Sequence, residues 1–422
     1  MIVPSIDIMD GHAVQLIGGR EKALDAGDPR PLAAQFRLAG EIAVVDLDAA
    51  LGRGSNAALI RELCRLAPCR VGGGIRDVDT ARGWLDAGAA QVVLGTAARP
   101  EILRELPPAR VVAALDAVDG EVVVDGWRER TGRGIVERMQ ELSGLCGGFL
   151  VTFVEREGRL GGTNLDAVKE LRTAAGAARL TIAGGVTTTD DVAALDRLGA
   201  EAQVGMALYT GRLPLADAWA APLVSDRPDG LWPTVVTDDR GIALGLAWSD
   251  LASLRAAFAR RQGVYHSRSR GLWIKGATSG DTQDLVTISL DCDRDALRFE
   301  VRQRGRGFCH SGTATCFGEV RGLEAVEKIL RERLARPHPG SYTQRLLSDP
   351  ALLRAKLVEE AGELSDAPDA AHAAEEAADV LYFSLVRLLQ AGGSLEDVEH
   401  VLDLRARKVT RRPGDAKPRG GD

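Results

Sequence analysis

The first 222 residues alternate eight short apolar runs with segments of helical periodicity. Each run is rich in Val, Ile, Ala or Leu, which is typical of strands buried on both faces of a parallel sheet. Eight such strand–helix units in residues 1–222 predict a closed parallel (β/α)8 barrel, the TIM-barrel fold. The eight runs are IVPSIDI, EIAVVDLD, CRVGGG, AQVVLGTA, RVVAALDA, FLVTFV, RLTIAGG and AQVGMAL.

The barrel region contains an internal repeat, because residues 71–98 resemble residues 181–209. Each copy contains a glycine pair and a later single glycine, so the two halves should carry related loops at the barrel mouth. Glycine lets backbone N–H groups approach a phosphate closely, and two loops suit a ligand with a phosphate at each end. The alternative is that these glycines only form tight turns. The predicted phosphate-binding residues are Gly73, Gly74, Gly95, Thr96, Gly184, Gly185 and Gly205.

Carboxylates stand at the carboxyl ends of several predicted strands, where barrel enzymes place their chemistry. Asp7 ends the first strand and Asp116 the fifth, while Glu157 follows the sixth. Asp46 and Asp48 end the second strand, although an Asp in that position can also serve as a helix cap.

These motifs resemble the phosphoribosylformimino-aminoimidazole carboxamide ribotide isomerases of histidine biosynthesis. The resemblance implies an Amadori rearrangement of a substrate with two phosphates, with Asp7 as base, Asp116 as acid, and Thr152 assisting. Glu157 stands where Asp is usual and Gln15 where Arg is usual. Two alternatives therefore stay open: a non-catalytic barrel, or isomerisation of another phosphorylated aminoaldose such as the tryptophan-pathway substrate. The motifs are PSIDIMDGHAVQL, VVDLDAALGRGSN, VGGGIRD, VVLGTAA, LDAVDGEVVVDGW, TFVEREGRLGGTN and IAGGV.

Strand-like runs after residue 225 predict a small α+β domain at 226–320. The segment DCDRD at 291–295 continues an alternating run and predicts a strand. Asp291, Asp293 and Asp295 would then share one face, with Cys292 on the other. The carboxylates suit Mg²⁺. The thiol suits Zn²⁺ with Cys309 and Cys316, leaving a fourth position open for water or, in the alternative of a structural site, for His310. A chance cluster of buried cysteines is a further alternative. 

This domain resembles the phosphoribosyl-AMP cyclohydrolases through RPDGLWPTVV, GVYHSRSRGLWIKGATSGDTQ, LDCDRDALRF and GFCHSGTATCF. The resemblance implies zinc-bound hydroxide opening the purine ring between N1 and C6. It implies zinc ligation by the three cysteines, magnesium binding by the three aspartates, and a dimer in which Cys292 ligates across the two-fold axis. It also implies a set of phosphate- and ribose-binding residues. These are Ser267, Arg268, Ser269, Arg270, Lys275, Thr278 and Ser279.

Residues 341–410 have a helical pattern throughout and predict an all-α domain after a linker at 337–340. Acidic residues recur three or four positions apart in two predicted helices, and this spacing places their carboxylates on one face of each helix. Packing these faces together requires a cation such as Mg²⁺; the alternative is two ordinary solvated faces. The predicted magnesium ligands are Glu359, Glu360, Glu363, Glu376 and Asp379.

The pattern in SYTQRLLSDPALLRAKLVEEAGEL, EEAADVLYFSLVRLL and RKVTRRPGDAKP resembles the phosphoribosyl-ATP pyrophosphohydrolases over 341–418. The resemblance implies that Mg²⁺ and the carboxylates activate water for attack at the α–β bond of the triphosphate. Lys356 and the basic tail, with Lys408, Arg411 and Arg412, would contact phosphates. A tail that is merely disordered is the alternative.

Charge and hydropathy exclude other classes of protein. The formal net charge is −7, which disfavours a general nucleic-acid-binding surface. No apolar run approaches the ~18 residues of a membrane span, and the start MIVPSIDIMDG does not resemble a signal peptide, so we expect a cytoplasmic protein. The three resemblances together predict a fused histidine-biosynthesis enzyme that acts on small phosphoribosyl nucleotides. They also imply Zn²⁺ and Mg²⁺ as cofactors, and a homodimer formed through the cyclohydrolase and helical domains.

Overall fold

The computed structural model describes residues 1–19, 21–124, 129–157, 162–411 and 414. These residues fall into two compact units. The first contains residues 1–305 and the chain from Arg407 onward, and the second contains Arg306–Ala406.

All the strands that the described residues form belong to the first unit. They are β1 (Ile2–Met9), β2 (His12–Ile17), β3 (Glu21–Gly27), β4 (Ile42–Asp46), β5 (Cys69–Gly72), β6 (Gln91–Leu94), β7 (Val111–Val118), β8 (Glu121–Val124), β9 (Glu129–Gly134), β10 (Gly148–Phe153), β11 (Arg179–Ala183), β12 (Glu201–Val204), β13 (Trp232–Thr237), β14 (Ala243–Ser249), β15 (Val264–Ser267), β16 (Gly271–Ile274), β17 (Gln283–Leu290) and β18 (Leu297–Gln303).

The helices of the first unit connect these strands. They are α1 (Pro29–Phe36), α2 (Leu47–Leu51), α3 (Ala57–Leu66), α4 (Val78–Asp86), α5 (Pro100–Leu103), α6 (Ile135–Glu141), α7 (Leu165–Ala175), α8 (Thr189–Arg197), α9 (Met206–Tyr209), α10 (Leu215–Ala220) and α11 (Leu251–Arg260).

The eight predicted barrel strands are confirmed, and they close on themselves. The parallel order is β1, β4, β5, β6, β7, β10, β11 and β12, and β12 pairs with β1 again. Two antiparallel hairpins, β2–β3 and β8–β9, extend from the ends of β1 and β7. The sequence pattern did not predict these hairpins, because their outer strands, β3 and β9, are polar and largely exposed.

Strand residues that face outward form the apolar layer between the barrel and its helices. Ile6 and Ile8 of β1 and Val44 of β4 are buried there against Phe36 of α1 and Leu63 of α3. Successive side chains of a β-strand point to opposite faces. Since Ile6 and Ile8 pack against the surrounding helices, the side chain between them points into the barrel. Asp7 reaches the barrel interior in this way.

A polar network crosses the barrel interior near the amino ends of the strands. The guanidinium of Arg70 donates to Glu41 at 2.7 Å, to Glu201 at 2.8 Å and to the Thr181 hydroxyl at 3.0 Å. Arg179 also donates to Glu41, at 2.7 Å. Arg70 is 3% exposed, so its charge is stabilised by these partners rather than by water.

The middle region forms a separate sheet with the order β16, β15, β14, β13, β18 and β17. Neighbouring strands are antiparallel except for β13 and β18. Helix α11 starts at a reciprocal capping box between Asp250 and Ser253 and packs beside β15. Within the same unit, the Gln35 amide of the barrel donates to the Phe258 carbonyl at 2.9 Å.

The second unit is helical, and its core is built from leucine and aromatic side chains. Its helices are α12 (Leu323–Ala335), α13 (Tyr342–Ser348), α14 (Pro350–Asp366), α15 (Ala370–Gln390) and α16 (Leu395–Arg407), of which the last residue belongs to the first unit. Leu330, Leu346, Leu353, Phe383 and Leu389 are buried together. Among the helices of the described residues, none combines the length and apolar character of a membrane span.

Candidate functional site

Asp7 lies inside the barrel mouth at the carboxyl end of β1. Its Oδ1 accepts a hydrogen bond from the Ser5 hydroxyl at 3.0 Å. Burial raises the pKa of Asp7 to about 6, and the bond from Ser5 partly opposes this rise. The carboxyl therefore titrates near neutrality, as a group that exchanges protons with a substrate should.

Glu157 shares the mouth with two of the predicted catalytic carboxyls. Burial and, to a smaller extent, the negative charges of Asp7 and Asp116 together raise the pKa of Glu157 to about 7. Thr152 of β10 is 8% exposed and pairs in register with Asp116 of β7, on neighbouring strands. The structure thus brings together the four residues that the sequence proposed as catalytic.

The two glycine pairs adopt the same backbone conformation in the two halves of the barrel. Gly73 and Gly74 have φ of 90° and 72°, and Gly184 and Gly185 have φ of 87° and 86°. A Cβ atom on any of these residues would collide with backbone or side-chain atoms of the preceding strand–helix loop. Both pairs therefore need glycine, because each lies too close to the neighbouring loop to carry a Cβ atom. This packing explains the glycines without a phosphate, so phosphate binding stays a prediction.

The remaining loop residues lie at the ends of β6 and β12. Gly95 and Thr96 follow β6 and are exposed. Gly205 follows β12, and a Cβ there would overlap the side-chain oxygen of Gln15. The buried Gln15 amide donates to the Val14 carbonyl at 3.0 Å, so it lies against this loop without a positive charge.

Asp46 acts as a helix cap, which was the alternative interpretation of the sequence, whereas Asp48 lies within α2 and connects two neighbouring loops. Asp46 is the N-cap of α2 and accepts from the Ala49 N–H at 3.1 Å. Asp48 accepts from the Asp10 N–H at 2.7 Å and from the Asn56 amide at 2.8 Å. These bonds fix the loops around the mouth.

The prediction that residues 291–295 form a strand is wrong. β17 ends at Leu290, and the segment is the tight turn that leads into β18. Asp291 Oδ1 accepts from the N–H groups of Asp295 and Ala296 at 3.1 and 3.2 Å, which closes the turn. Polar alternation does not distinguish a strand from such an Asx-type turn, because both place short polar residues at regular intervals.

The turn nevertheless gathers the three predicted carboxylates. One oxygen from each of Asp291, Asp293 and Asp295 lies within 4.8 Å of the others. A hydrogen bond with the Asp291 carboxyl, and then the negative charge of Asp293, raise the pKa of Asp295. Oxygen ligands grouped in this way fit a hard cation such as Mg²⁺.

The predicted zinc ligands lie in both units. Cys292 is exposed in the turn of the first unit, whereas Cys309 and Cys316 lie in the second. The Ser311 hydroxyl donates to Cys309 Sγ at 3.0 Å, and this bond is the largest cause that lowers the pKa of Cys309 to about 6. Cys309 is therefore mostly a thiolate at neutral pH, the form that zinc requires. Nδ1 of His310 lies 3.9 Å from Cys309 Sγ.

The residues proposed to hold phosphate and ribose form two loops. Ser267 ends β15, and residues 268–270 turn into β16. Arg268 stacks over Trp248 at 5.7 Å and Arg270 over Trp273 at 5.5 Å, which holds both guanidinium groups beside the turn.

The second loop follows β16. Lys275 is 6% exposed, and its ammonium lies 3.5 Å from the Asp281 carbonyl oxygen. Thr278 and Ser279 are exposed, and the Ser279 hydroxyl accepts from the Asp281 N–H at 3.3 Å.

The acidic faces of α14 and α15 meet, as the spacing predicted. Ligand oxygens of Glu360, Glu376 and Asp379 lie within 4.8 Å of one another, and Glu359, Glu360 and Glu363 form a second such group. Glu360 belongs to both groups and is 5% exposed. Desolvation raises the pKa of Glu376, and Glu363 and Glu360 raise it further. This concentration of charge fits a divalent cation.

The predicted phosphate-binding lysines have protein partners in this structure. Lys356 lies 3.0 Å from Glu359 and 2.5 Å from Glu360, so it partly neutralises the acidic group. Lys408 lies in the first unit. Burial would raise the pKa of Asp86, but hydrogen bonds from Thr410 and Val409 and then the charge of Lys408 lower it. Arg411 is exposed, and Arg412 lies outside the described residues.

Ser5 and Ser311 lower the pKa values of Asp7 and Cys309, and neither was predicted from the sequence. Both stand two residues from the group they contact, so strand alternation could have identified Ser5. Ser311 had no comparable signal, because its contact depends on the loop conformation.

Family models match three successive parts of the chain. The model for histidine biosynthesis proteins matches residues 1–214, that for phosphoribosyl-AMP cyclohydrolase matches 245–318, and that for phosphoribosyl-ATP pyrophosphohydrolase matches 323–406. The three matches follow the order of the barrel, the middle sheet and the helical unit.

Curated relatives match parts of the chain. A histidine biosynthesis trifunctional protein of Neurospora crassa is 52% identical over 207 residues, covering 49% of this chain and 24% of that protein. A histidine biosynthesis bifunctional protein of Schizosaccharomyces pombe is 50% identical over 206 residues, covering 49% of each. This chain thus spans a quarter to a half of the length of these two relatives.

A phosphoribosyl imidazole-4-carboxamide isomerase of Methanocorpusculum labreanum is 39% identical over 235 residues, covering 52% of this chain and 98% of the isomerase. Together with the model that matches residues 1–214, this similarity shows that the chain belongs to the histidine biosynthesis protein family, as a multidomain member with cyclohydrolase-type and pyrophosphohydrolase-type regions after its barrel.

Proposed function

We propose that this chain catalyses three consecutive steps of histidine biosynthesis. The helical domain hydrolyses phosphoribosyl-ATP to phosphoribosyl-AMP and pyrophosphate, the middle domain opens the purine ring, and the barrel isomerises the resulting ribotide. The observation that carries the proposal is the presence of all three family matches in one chain. The proposed domains are 1–222, 226–320 and 341–418, in a cytoplasmic protein without membrane or nucleic-acid partners.

In the barrel, Asp7 would act as the base that removes the C2 proton from the open-chain Schiff base. A pKa near 6 leaves this carboxyl ionised at neutral pH and still basic enough to accept a proton. Asp116 would protonate the ring oxygen, with Thr152 beside it in the paired strand. The glycine pairs would hold the two phosphates through backbone N–H groups on opposite sides of the mouth.

In the middle domain, Cys292, Cys309 and Cys316 would hold Zn²⁺. Bound zinc supplies hydroxide at neutral pH for attack at C6 of the purine. Cys309 suits this role because its low pKa favours the thiolate. We further propose a homodimer, formed through the middle and helical domains, in which Cys292 of one copy completes the site of the other.

The loops after β15 and β16 would hold the substrate of the middle domain. The guanidinium groups of Arg268 and Arg270 are positioned by stacking on tryptophans, which leaves their N–H donors available at the edges. Ser267, Ser269, Thr278 and Ser279 would add hydroxyl contacts, and Lys275 a positive charge.

In the helical domain, the carboxylates of α14 and α15 would hold Mg²⁺ on a triphosphate. Magnesium would offset the repulsion among these carboxylates and bind the phosphate oxygens of the substrate. Lys356 would exchange part of its contact with Glu359 for a phosphate oxygen. Glu363 or Asp379 could then orient water toward the α–β bond.

Gln15 favours a second candidate for the barrel alone. A neutral amide lies against Gly205, where family members usually place an arginine. Phosphate binding at this loop would then be weaker, as suits a phosphorylated aminoaldose with only one phosphate.

The test is to incubate the full-length protein with phosphoribosyl-ATP, Mg²⁺ and Zn²⁺ and to identify the product by mass spectrometry and chromatography. Accumulation of the ribulosyl isomer would support all three activities. Arrest at the ribosyl isomer would limit the function to the two hydrolytic steps. The two last intermediates have equal mass, so their retention times must separate them.

A further inference from the structure

Arg294 lies in the turn at 291–295, between Asp293 and Asp295, and has an unusual backbone conformation. Its φ is 71°, in the left-handed region that glycine adopts most easily. A side chain in this conformation is strained unless other contacts hold it. The turn therefore keeps an arginine where glycine would fit the backbone better.

The side chain of Arg294 reaches out of the turn to a helix of the barrel. Its Nε and Nη2 donate to the two carboxylate oxygens of Asp196 at 2.7 and 3.0 Å. Asp196 lies near the end of α8 and is 13% exposed, and Arg294 is 30% exposed. Such a bidentate pair has a fixed geometry and is only partly accessible to water.

Two further bonds hold the same residue. Arg294 Nη1 donates to the Cys292 carbonyl at 3.4 Å, and the Val224 N–H donates to the Arg294 carbonyl at 3.0 Å. The backbone of the turn is thus fixed from the barrel side, between Asp293 and Asp295.

We propose that Asp196 of the barrel is a positioning residue for the cation site of the cyclohydrolase domain. By holding Arg294, it keeps the turn in the conformation that brings Asp291, Asp293 and Asp295 together. These carboxylates repel one another, so a turn fixed from outside binds a cation without first having to gather its ligands. The inference rests on the proposed cyclohydrolase function, and it makes the barrel part of that active site.

The test measures Mn²⁺ binding to the full-length protein by electron paramagnetic resonance. Every protein compared carries Glu360→Gln and Glu376→Gln, so that the helical carboxylates do not contribute. Asp196→Asn should weaken Mn²⁺ binding at the turn by about tenfold, in the range found for residues that support metal ligands. Asp190→Asn, on the same helix, is the matched control and should bind as the parent does.

Arg294→Gly tests the role of the Arg294 side chain separately from the conformation of its backbone. Asp196 also lies 2.7 Å from the Met1 amino group, and this variant leaves that contact in place. Glycine removes the strain of the left-handed backbone but also removes the side chain that bonds to Asp196. The Arg294→Gly variant should therefore lose about as much Mn²⁺ affinity as Asp196→Asn does. The double variant should be no worse than either single one, because both changes break the same pair.

A kinetic measurement complements the binding data. With Glu360 and Glu376 intact, Asp196→Asn should raise the Mg²⁺ concentration that gives half-maximal cyclohydrolase rate, while KM for phosphoribosyl-AMP at saturating Mg²⁺ stays unchanged. Unchanged Mn²⁺ affinity in Asp196→Asn, tight binding by Arg294→Gly, or no Mn²⁺ bound at the turn of the parent would overturn the inference. A parent that binds Mn²⁺ at the turn but does not convert phosphoribosyl-AMP would instead refute the proposed function.

Discussion

Gly73 and Gly184 stand at equivalent positions in the two halves of the barrel, with φ of 90° and 87°. Each lies against a main-chain carbonyl oxygen at the end of the preceding strand, that of Asp46 for Gly73 and that of Phe153 for Gly184. The sequence repeat thus corresponds to a repeated backbone contact. Each glycine loop at the mouth is positioned by the neighbouring strand–helix loop.

Replacing either glycine with alanine should destabilise the barrel. A Cβ at Gly184 would lie 2.7 Å from the Phe153 carbonyl oxygen, and the left-handed φ adds strain. We expect Gly184→Ala and Gly73→Ala each to lower the free energy of unfolding by about 1–3 kcal/mol, measured by urea denaturation. Gly83→Ala in α4 is the control, since nothing lies within 4 Å of its Cβ. An unchanged urea midpoint for Gly184→Ala would show that the loop can move away from the strand end.

Ser5→Ala should shift the pH dependence of the isomerase step. The Ser5 hydroxyl lowers the pKa of Asp7, which burial raises to about 6. Without this bond the pKa rises, and the ionised base is lost at a higher pH. The acid limb of kcat/KM should move to higher pH, with a fall of about 2–3-fold at pH 6 and little change at pH 8.

Ser5→Thr keeps the hydroxyl and serves as the control for this shift. Its acid limb should stay near that of the parent protein, even if packing around the added methyl group lowers the plateau. An acid limb that does not move in Ser5→Ala would mean that Asp7 is not the base of this step.

The fold was predictable from the sequence where burial dictates composition. The barrel strands are buried on both faces and are mostly apolar, so eight runs could be counted without knowing their partners. The turn at 291–295 was not predictable, because its closure depends on two hydrogen bonds from backbone N–H groups to the side chain of Asp291. The pair between Asp196 and Arg294 was also invisible, since the two residues are far apart in the chain and neither lies in an apolar pattern.

Glu376→Gln should change how Mg²⁺ affects the helical unit. Desolvation and the neighbouring carboxylates Glu363 and Glu360 raise the pKa of Glu376, so its negative charge opposes folding when no cation is present. We expect the substitution to raise the thermal midpoint in EDTA and to reduce the increase caused by Mg²⁺, as followed by far-UV circular dichroism. Glu375→Gln, the adjacent exposed residue, should respond to Mg²⁺ as the parent does. Equal Mg²⁺ effects in both variants would exclude Glu376 as a ligand.

Arg70→Met should remove a buried positive charge that stabilises the ionised forms of Glu41 and Glu201. Burial alone would raise the pKa values of Glu41 and Glu201, but Arg70 and Arg179 more than offset it, and both pKa values are lowered. Their contribution to stability is therefore fully present above the ordinary carboxyl pKa of about 4.3 and is lost as the pH falls through the lowered values. At pH 7, Arg70→Met leaves these charges in the barrel with Arg179 alone, and we expect a loss of about 3–5 kcal/mol in the free energy of unfolding.

This loss should shrink as the pH falls toward 4, because the carboxyls of the variant can then become neutral in the folded state. Urea denaturation at both pH values checks the prediction. Arg65→Met, which removes an exposed charge on α3, should stay within about 0.5 kcal/mol of the parent. A deficit of the same size at both pH values would show that Arg70 stabilises the barrel by packing rather than by pairing with Glu41 and Glu201.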